Sequence, residues 1–152
     1  KAFHAGWYLT GDLGYIANGE IYVSGRKKDL IIVGGKNIYP QDLEALASEV
    51  KGVHPGRVVA FGVPNQGLGT EDVVIVAEID TEKRDPNQLD QELEEIYQPI
   101  ANEIRQRVTR GSDIALRYVK LVDRGWLLKT SSGKTARSAN RDKYLAEQAA
   151  KG

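Results

Sequence analysis

Gly25-Arg26-Lys27-Lys28-Asp29-Leu30-Ile31-Ile32-Val33-Gly34-Gly35-Lys36-Asn37 divides the chain. Its first five residues are a polar break, and Leu30 to Val33 follow at once as a short apolar run that reads as a buried strand. Two adjacent glycines accept positive φ values that other residues resist, so Gly34-Gly35-Lys36-Asn37 reads as a tight turn. Pro40 suits the first position of a helix running to about Val50, with Leu43, Leu46, Ala47 and Val50 on one face. A boundary at the polar break assigns 1–27 to the tail of a preceding domain and 28–152 to a compact second domain.

Toward the N-terminus, Asn18-Gly19 between apolar segments predicts a short hairpin with strands near 13–16 and 20–24. Thr10-Gly11-Asp12 before it reads as a turn entering the first strand. It also reads as a ribose site, because an ionised carboxylate offers two acceptor oxygens and a glycine lets a ligand approach the backbone. Toward the C-terminus, near-continuous apolar runs at 57–63 and 72–79 predict strands of a sheet covered by helices. Leu89, Leu93, Ile96, Ile100, Ile104 and Val108 recur at three- and four-residue intervals, so 86–110 reads as a helix that Pro99 should kink or split. A strand near 115–122 and a helix over 136–149 complete the pattern. The fold class is α+β: a short β-hairpin, then a sheet of three-stranded type flanked by helices.

Composition narrows the function. The chain has 152 residues, of which 41% are hydrophobic and 28% charged, as in an ordinary soluble domain. Lys+Arg and Asp+Glu both number 21, so no net field draws in a nucleic acid or an acidic membrane. There is no cysteine for a disulfide or a thiolate nucleophile, and His4 and His54 are too few for a histidine-based metal site. No apolar run approaches membrane-spanning length, and no signal-peptide pattern opens the chain. Methionine is absent, so the chain is expected to be a processed product or an excised fragment.

Lys129-Thr130-Ser131-Ser132-Gly133-Lys134-Thr135-Ala136-Arg137 places a lysine at the tip of a turn ahead of the last helix. Gly133-Lys134-Thr135 matches the end of a phosphate-binding P-loop, but the first glycine of that motif would fall at Leu128, and the reading fails. A nucleic-acid patch of Lys129, Lys134, Arg137, Arg141 and Lys143 has only Trp126 and Tyr144 nearby for stacking, in a charge-balanced chain. A merely solvated basic loop stays open, as does a lysine that meets an anion.

Taken together, Tyr8-Leu9-Thr10-Gly11-Asp12, the stretch from Gly25 to Gly35, and Thr130 to Arg137 resemble the C-terminal region of the adenylate-forming acyl-activating enzymes. That family comprises acyl-CoA synthetases, fatty acyl-AMP ligases, peptide-synthetase adenylation domains and luciferases. The resemblance implies a large preceding domain that holds most of the acid and ATP pocket, followed by a small mobile domain. It implies that Asp12 and Arg26 hold the ribose of ATP and of the acyl-adenylate, and that Lys28 is the hinge. It further implies that Gly34, Gly35 and Lys36 line the pantetheine path, and that Lys134 is the catalytic lysine of adenylation.

The implied reaction runs from a carboxylic acid, expected to be a fatty acid, and ATP to acyl-AMP. The acyl group then passes to CoA or to the phosphopantetheine of an acyl carrier protein. Mg²⁺ is implied on the phosphates with its ligands outside this chain, and a cytoplasmic location goes with the family. Tyr39-Pro40-Gln41-Asp42-Leu43-Glu44 resembles the ligases that feed carrier proteins, whereas Gly34-Gly35-Lys36-Asn37 is closer to the synthetases. Separated from the preceding domain, the chain is expected to be inactive. The contrasting expectation is a non-catalytic remnant or a carrier-docking module.

Overall fold

A computed structural model describes residues 3–4, 7–8, 12–17, 20–26, 29–79 and 90–151, with side chains placed over 29–79 and 95–151. Strands β1 (Phe3–His4) and β2 (Trp7–Tyr8) pair antiparallel, and so do β3 (Asp12–Ala17) and β4 (Glu20–Arg26). The register Ala17↔Glu20 leaves a two-residue connection, which is the hairpin that Asn18-Gly19 predicts; those two residues themselves lie outside the described set.

Strands β5 (Ile31–Val33) and β6 (Lys36–Ile38) then form a second small hairpin, and helix α1 (Pro40–Ser48) follows. Here the structure corrects two sequence expectations. The turn is Gly34-Gly35 alone, because Lys36 and Asn37 already belong to β6 and pair with Val33 and Ile32. The first strand is also only partly buried: Ile31 is enclosed, but Ile32 is 49% exposed. A two-stranded ribbon has one face against the core and one in solvent, so alternate residues divide between them.

Strands β7 (Val53–Asn65), β8 (Thr70–Ile79) and β9 (Tyr118–Val122) make the main sheet in that order. β7 and β8 are antiparallel; β9 runs parallel to β8, and helix α2 (Asp90–Ser112) lies in the crossover between them. Both faces are covered. Val58, Ala60, Val73, Ile75 and Ala77 point to a core shared with Leu43 and Ala47 of α1 and Ile104 and Val108 of α2. Their alternates Val59, Phe61, Val63, Val74 and Val76 point to a second core with Leu127 and with Tyr144 of helix α3 (Arg137–Lys151). The period-two alternation of a strand buried on both sides therefore appears in the sequence as one unbroken apolar run.

Three boundaries differ from the sequence reading. β7 starts at Val53 rather than at 57, because its ladder continues past an irregularity between Val53 and Val58 that absorbs His54, Pro55 and Gly56. β9 starts at 118 rather than 115; Ile114 and Leu116 are buried in the first core but precede the ladder. Pro99 does not split α2, which runs through it. The carbonyl that loses its partner there belongs to Glu95, and both residues are exposed, so water can take the place of the missing donor.

The Gly34-Gly35 turn yields a direct test of backbone strain. Their φ values are 55° and 81°, the pattern of a two-residue hairpin loop with positive φ at both central positions. A Cβ at Gly35 would meet nothing within 4 Å, so a substitution there is strained by its backbone alone. Gly35→Val is expected to cost about 1–2 kcal/mol in urea unfolding, and Gly35→Asn distinctly less, because asparagine tolerates the left-handed region.

Candidate active site

The lysine loop is a closed structure. Thr130 N donates to Lys134 O at 2.7 Å, Gly133 N to Thr130 O at 2.9 Å, and Ala136 N to Leu128 O at 3.0 Å. Lys129 and Thr135 form an isolated antiparallel bridge beneath the tip. Gly133, at φ 81°, makes the reversal that brings Lys134 back over Thr130. Lys134 is exposed, and among the described residues no hydrogen bond or ion pair engages its ammonium. The loop thus holds its backbone and leaves its cation free for an anion.

The exit from the loop is fixed by charge. Arg137, the first residue of α3, directs its Nε (3.2 Å) and Nη2 (2.7 Å) to the two carboxylate oxygens of Glu44 on α1, and its Nη1 to Asp29 at 2.9 Å. Glu44 also accepts the backbone N–H of Ala60 on β7 at 2.8 Å. One guanidinium thus joins α3, α1 and the start of the small β5–β6 hairpin in the forked geometry for which arginine is suited. Burial works against the Arg137 charge, but hydrogen bonds and attraction from Glu44 and Asp29 more than offset it, and its pKa rises. Glu44 behaves differently. Its burial is the dominant effect and lifts its pKa above the ordinary value, although Arg137 and the Ala60 N–H pull the other way. Both values rise, but the rise favours the charged form of Arg137 and the neutral form of Glu44, because Arg137 shares two carboxylates, whereas Glu44 sits deeper and beside a second negative charge.

The other members of the basic cluster are largely committed within the fold. Arg141 Nε donates to Gly62 O at 2.8 Å, and Lys143 Nζ donates to Trp126 O at 2.6 Å while lying 4.2 Å from the centre of the Trp126 ring. Lys120 pairs with Glu147, whose pKa falls chiefly through that hydrogen bond, and Trp126 Nε1 donates to the same carboxylate at 3.0 Å. The five cations therefore do not make one free basic face.

The glycine turn is held separately. Thr70 Oγ1 accepts the N–H of Gly34 at 2.8 Å and donates to Ile32 O at 3.1 Å, and Glu71 accepts the N–H of Ile32 at 2.7 Å. The turn is in this way moored to the start of β8, with Lys36 exposed beside it. Among the described residues no hydrogen bond or ion pair joins this turn to the lysine loop. Asp12 and Arg26 are the first residue of β3 and the last of β4, and the hairpin register makes them direct cross-strand partners. The structure thus brings together two residues fourteen apart in sequence. Lys28 lies outside the described residues.

Among the described residues no group of three His, Cys, Asp or Glu side chains is placed to hold a metal ion. The exposed ammonium of Lys134 offers a point charge to an anion.

No protein-family profile matches the chain. Individual proteins do. A long-chain-fatty-acid–AMP ligase of Mycobacterium marinum is 39% identical over 160 residues, covering 91% of this chain and 24% of that protein. A medium-chain-fatty-acid–[acyl-carrier-protein] ligase of Moorena producens is 36% identical, covering 95% and 24%. The solved structure of McyG A-PCP complexed with phenylalanyl-adenylate superposes with a TM-score of 0.78 at 32% identity, over 95% of this chain and 24% of that one. The chain belongs to the adenylate-forming family, as its C-terminal domain. This adenylate-forming domain spans about a quarter of the length of the curated relatives it matches, as the 24% coverage gives. Its relatives are AMP-forming ligases.

Several residues that shape the adenylate-forming domain escape a reading of the sequence. Arg137 lies 93 residues from Glu44 and 108 from Asp29, so the ion cluster leaves no local pattern. Thr70 and Glu71 read as the polar entry to a strand. Glu78 and Asn140 are fully buried polar residues, and the only trace of Glu78 is a carboxylate at the end of an otherwise apolar run.

Proposed function

We propose that this domain serves an enzyme that activates a fatty acid in two steps. An oxygen of the acid's carboxylate attacks the α-phosphorus of ATP, the bond to the β-phosphate breaks, and acyl-AMP and pyrophosphate result. A pantetheine thiol, on a carrier protein or CoA, then gives up its proton and attacks the acyl carbon, and AMP leaves. The observation that carries the reading is the lysine loop: a closed backbone presents one unpaired ammonium, which a transition state gaining negative charge on transferring phosphate oxygens requires. The relatives' names add the fatty acid and the carrier protein.

In this reading Asp12 and Arg26, paired across the hairpin, hold the ribose, and residues 1–27 complete the preceding domain. Lys28 is the hinge about which 28–152 turns, withdrawing Lys134 and bringing Gly34, Gly35 and Lys36 to the thiol. Alone, the domain turns over nothing, because acid and ATP bind chiefly in the preceding domain. The cytoplasm, which supplies ATP and CoA, is its setting.

The test uses the full-length protein with ATP and Mg²⁺ and a panel of octanoic, dodecanoic, hexadecanoic and 4-hydroxybenzoic acids and phenylalanine, with CoA, with a phosphopantetheinylated carrier protein, or with neither. Acyl-AMP that persists in CoA but is consumed by the carrier protein is the expected outcome. Prompt acyl-CoA formation assigns the thiol to CoA instead. No adenylate from any acid overturns the reading.

A further inference from the structure

We propose that Asn140 is the positioning residue that sets the lysine loop for adenylation, an inference that rests on the role given to Lys134 above. Asn140 stands one turn into α3 and is fully buried. Its Oδ1 accepts the N–H of Leu128 at 2.8 Å, and its Nδ2 donates to Leu128 O at 3.0 Å and to Ala136 O at 2.9 Å. Leu128 and Ala136 are the two residues that enter and leave the lysine turn, and their own bond from Ala136 N to Leu128 O closes its base. One side-chain amide therefore spans both ends of the loop and uses its acceptor and both donor hydrogens to do so.

The arrangement is specific to an amide of this length. Aspartate keeps the acceptor for Leu128 N but turns acceptors toward two carbonyl oxygens. Leucine fills the volume and makes none of the bonds. Glutamine adds a methylene where there is no exposed space. One residue earlier, Leu127 N is held at 2.9 Å by Oε2 of the buried Glu78, at the end of β8. The loop base is thus moored to the central strand through Glu78 and to α3 through Asn140. Among the described residues the tip beyond it, Ser131 to Lys134, makes no hydrogen bond or ion pair with another element. The position of the ammonium is then set at the base, where a small displacement is carried to the tip.

Asn140→Leu, Asn140→Asp and Lys134→Ala are compared in the full-length protein with the acid of the panel that is turned over fastest. Pyrophosphate release reports adenylation. Transfer from the synthetic acyl-AMP of that acid to the pantetheine thiol reports the second step. Both Asn140 variants are expected to lose about tenfold to a hundredfold in kcat for adenylation, with KM for the acid and the transfer step unchanged, as a misplaced but intact catalytic group requires. Amide hydrogen exchange is expected to quicken at Leu128, Thr130 and Gly133 while β8 keeps its protection.

Asn140→Leu adenylating at the unsubstituted rate while Lys134→Ala is impaired overturns the positioning role. So does an equal fall in both half-reactions that tracks a lowered Tm, since that is loss of folded protein. If Lys134→Ala adenylates normally, the function assigned to the lysine is what fails. Unchanged exchange at Leu128, Thr130 and Gly133 in Asn140→Leu would then overturn the positioning of the loop as well.

Discussion

Lys134→Ala in the full-length protein is expected to lower the rate of acyl-adenylate formation about a thousandfold and to leave acyl transfer from a preformed adenylate within severalfold of the unsubstituted protein. The size follows from one ammonium about 4 Å from a developing phosphate charge. At an effective dielectric of about 20 this is worth roughly 4 kcal/mol, and about 1.4 kcal/mol is a factor of ten. The asymmetry follows from the proposed function: the second step builds charge on the carbonyl oxygen and the leaving AMP, after the proposed hinge rotation has withdrawn the lysine. Stability should hardly move, because the side chain is exposed and its removal leaves the loop's backbone bonds in place. Single-turnover pyrophosphate release and thioester formation, followed separately, make the comparison. Equal loss in both steps would remove the lysine from the adenylation chemistry.

Arg137→Leu is the substitution expected to cost the fold most, about 3 kcal/mol at neutral pH in urea unfolding of the full-length protein. It leaves the carboxylates of Glu44 and Asp29, 16% and 11% exposed, without their shared cation. The penalty lies toward the low end of that for breaking a buried pair because the guanidinium itself is 20% exposed.

Acid should relieve it in part, since protonating Glu44 removes one of the charges that the leucine strands. The unsubstituted protein carries a related dependence through Glu44, whose folded-state pKa is raised above 4.5, mainly by burial. A carboxyl that binds its proton more tightly when folded contributes stability that is fully present below the unfolded pKa. That contribution is lost as pH rises through the folded value. Relative to Glu44→Gln, the unsubstituted protein should therefore lose stability between about pH 4.5 and neutrality. A difference that is flat with pH, or stability lost relative to Glu44→Gln as pH falls, would show Glu44 ionised at no cost in the fold.

Residues whose neighbours in sequence are also their neighbours in space were legible. Gly34-Gly35 declares its turn, Pro40 with Leu43 and Ala47 declares a helix, and the run from Val73 to Ala77 declares a strand buried on both faces. Local signals also misled. The apolar run starts the strand at 57, yet β7 begins at Val53 because its partner strand continues to Ile79. Lys36-Asn37 looks like turn chemistry, yet it completes a ladder.

Of the candidate site, the tip of the lysine loop was readable and its foundations were not. An asparagine among Arg137, Ser138, Arg141 and Asp142 reads as helix surface until α3 is laid on the sheet and turns that position inward. The cross-strand meeting of Asp12 and Arg26 was only half implicit in Asn18-Gly19: a two-residue connection fixes the pairs as far as Gly14 and Val23 and would set Asp12 opposite Gly25, but an irregularity between Leu13 and Gly14 moves it opposite Arg26.

Helix α3 covers the face of the sheet formed by Val59, Phe61, Val63, Val74 and Val76 and also supplies Arg137 and Asn140. During synthesis α3 emerges after all three strands of that sheet, so the base of the lysine loop can be completed only when that apolar face is sealed. A nascent chain, or one cleaved ahead of α3, consequently exposes that face and lacks the foundation of its lysine loop, and quality-control factors that bind exposed apolar surface would remove it without testing for activity.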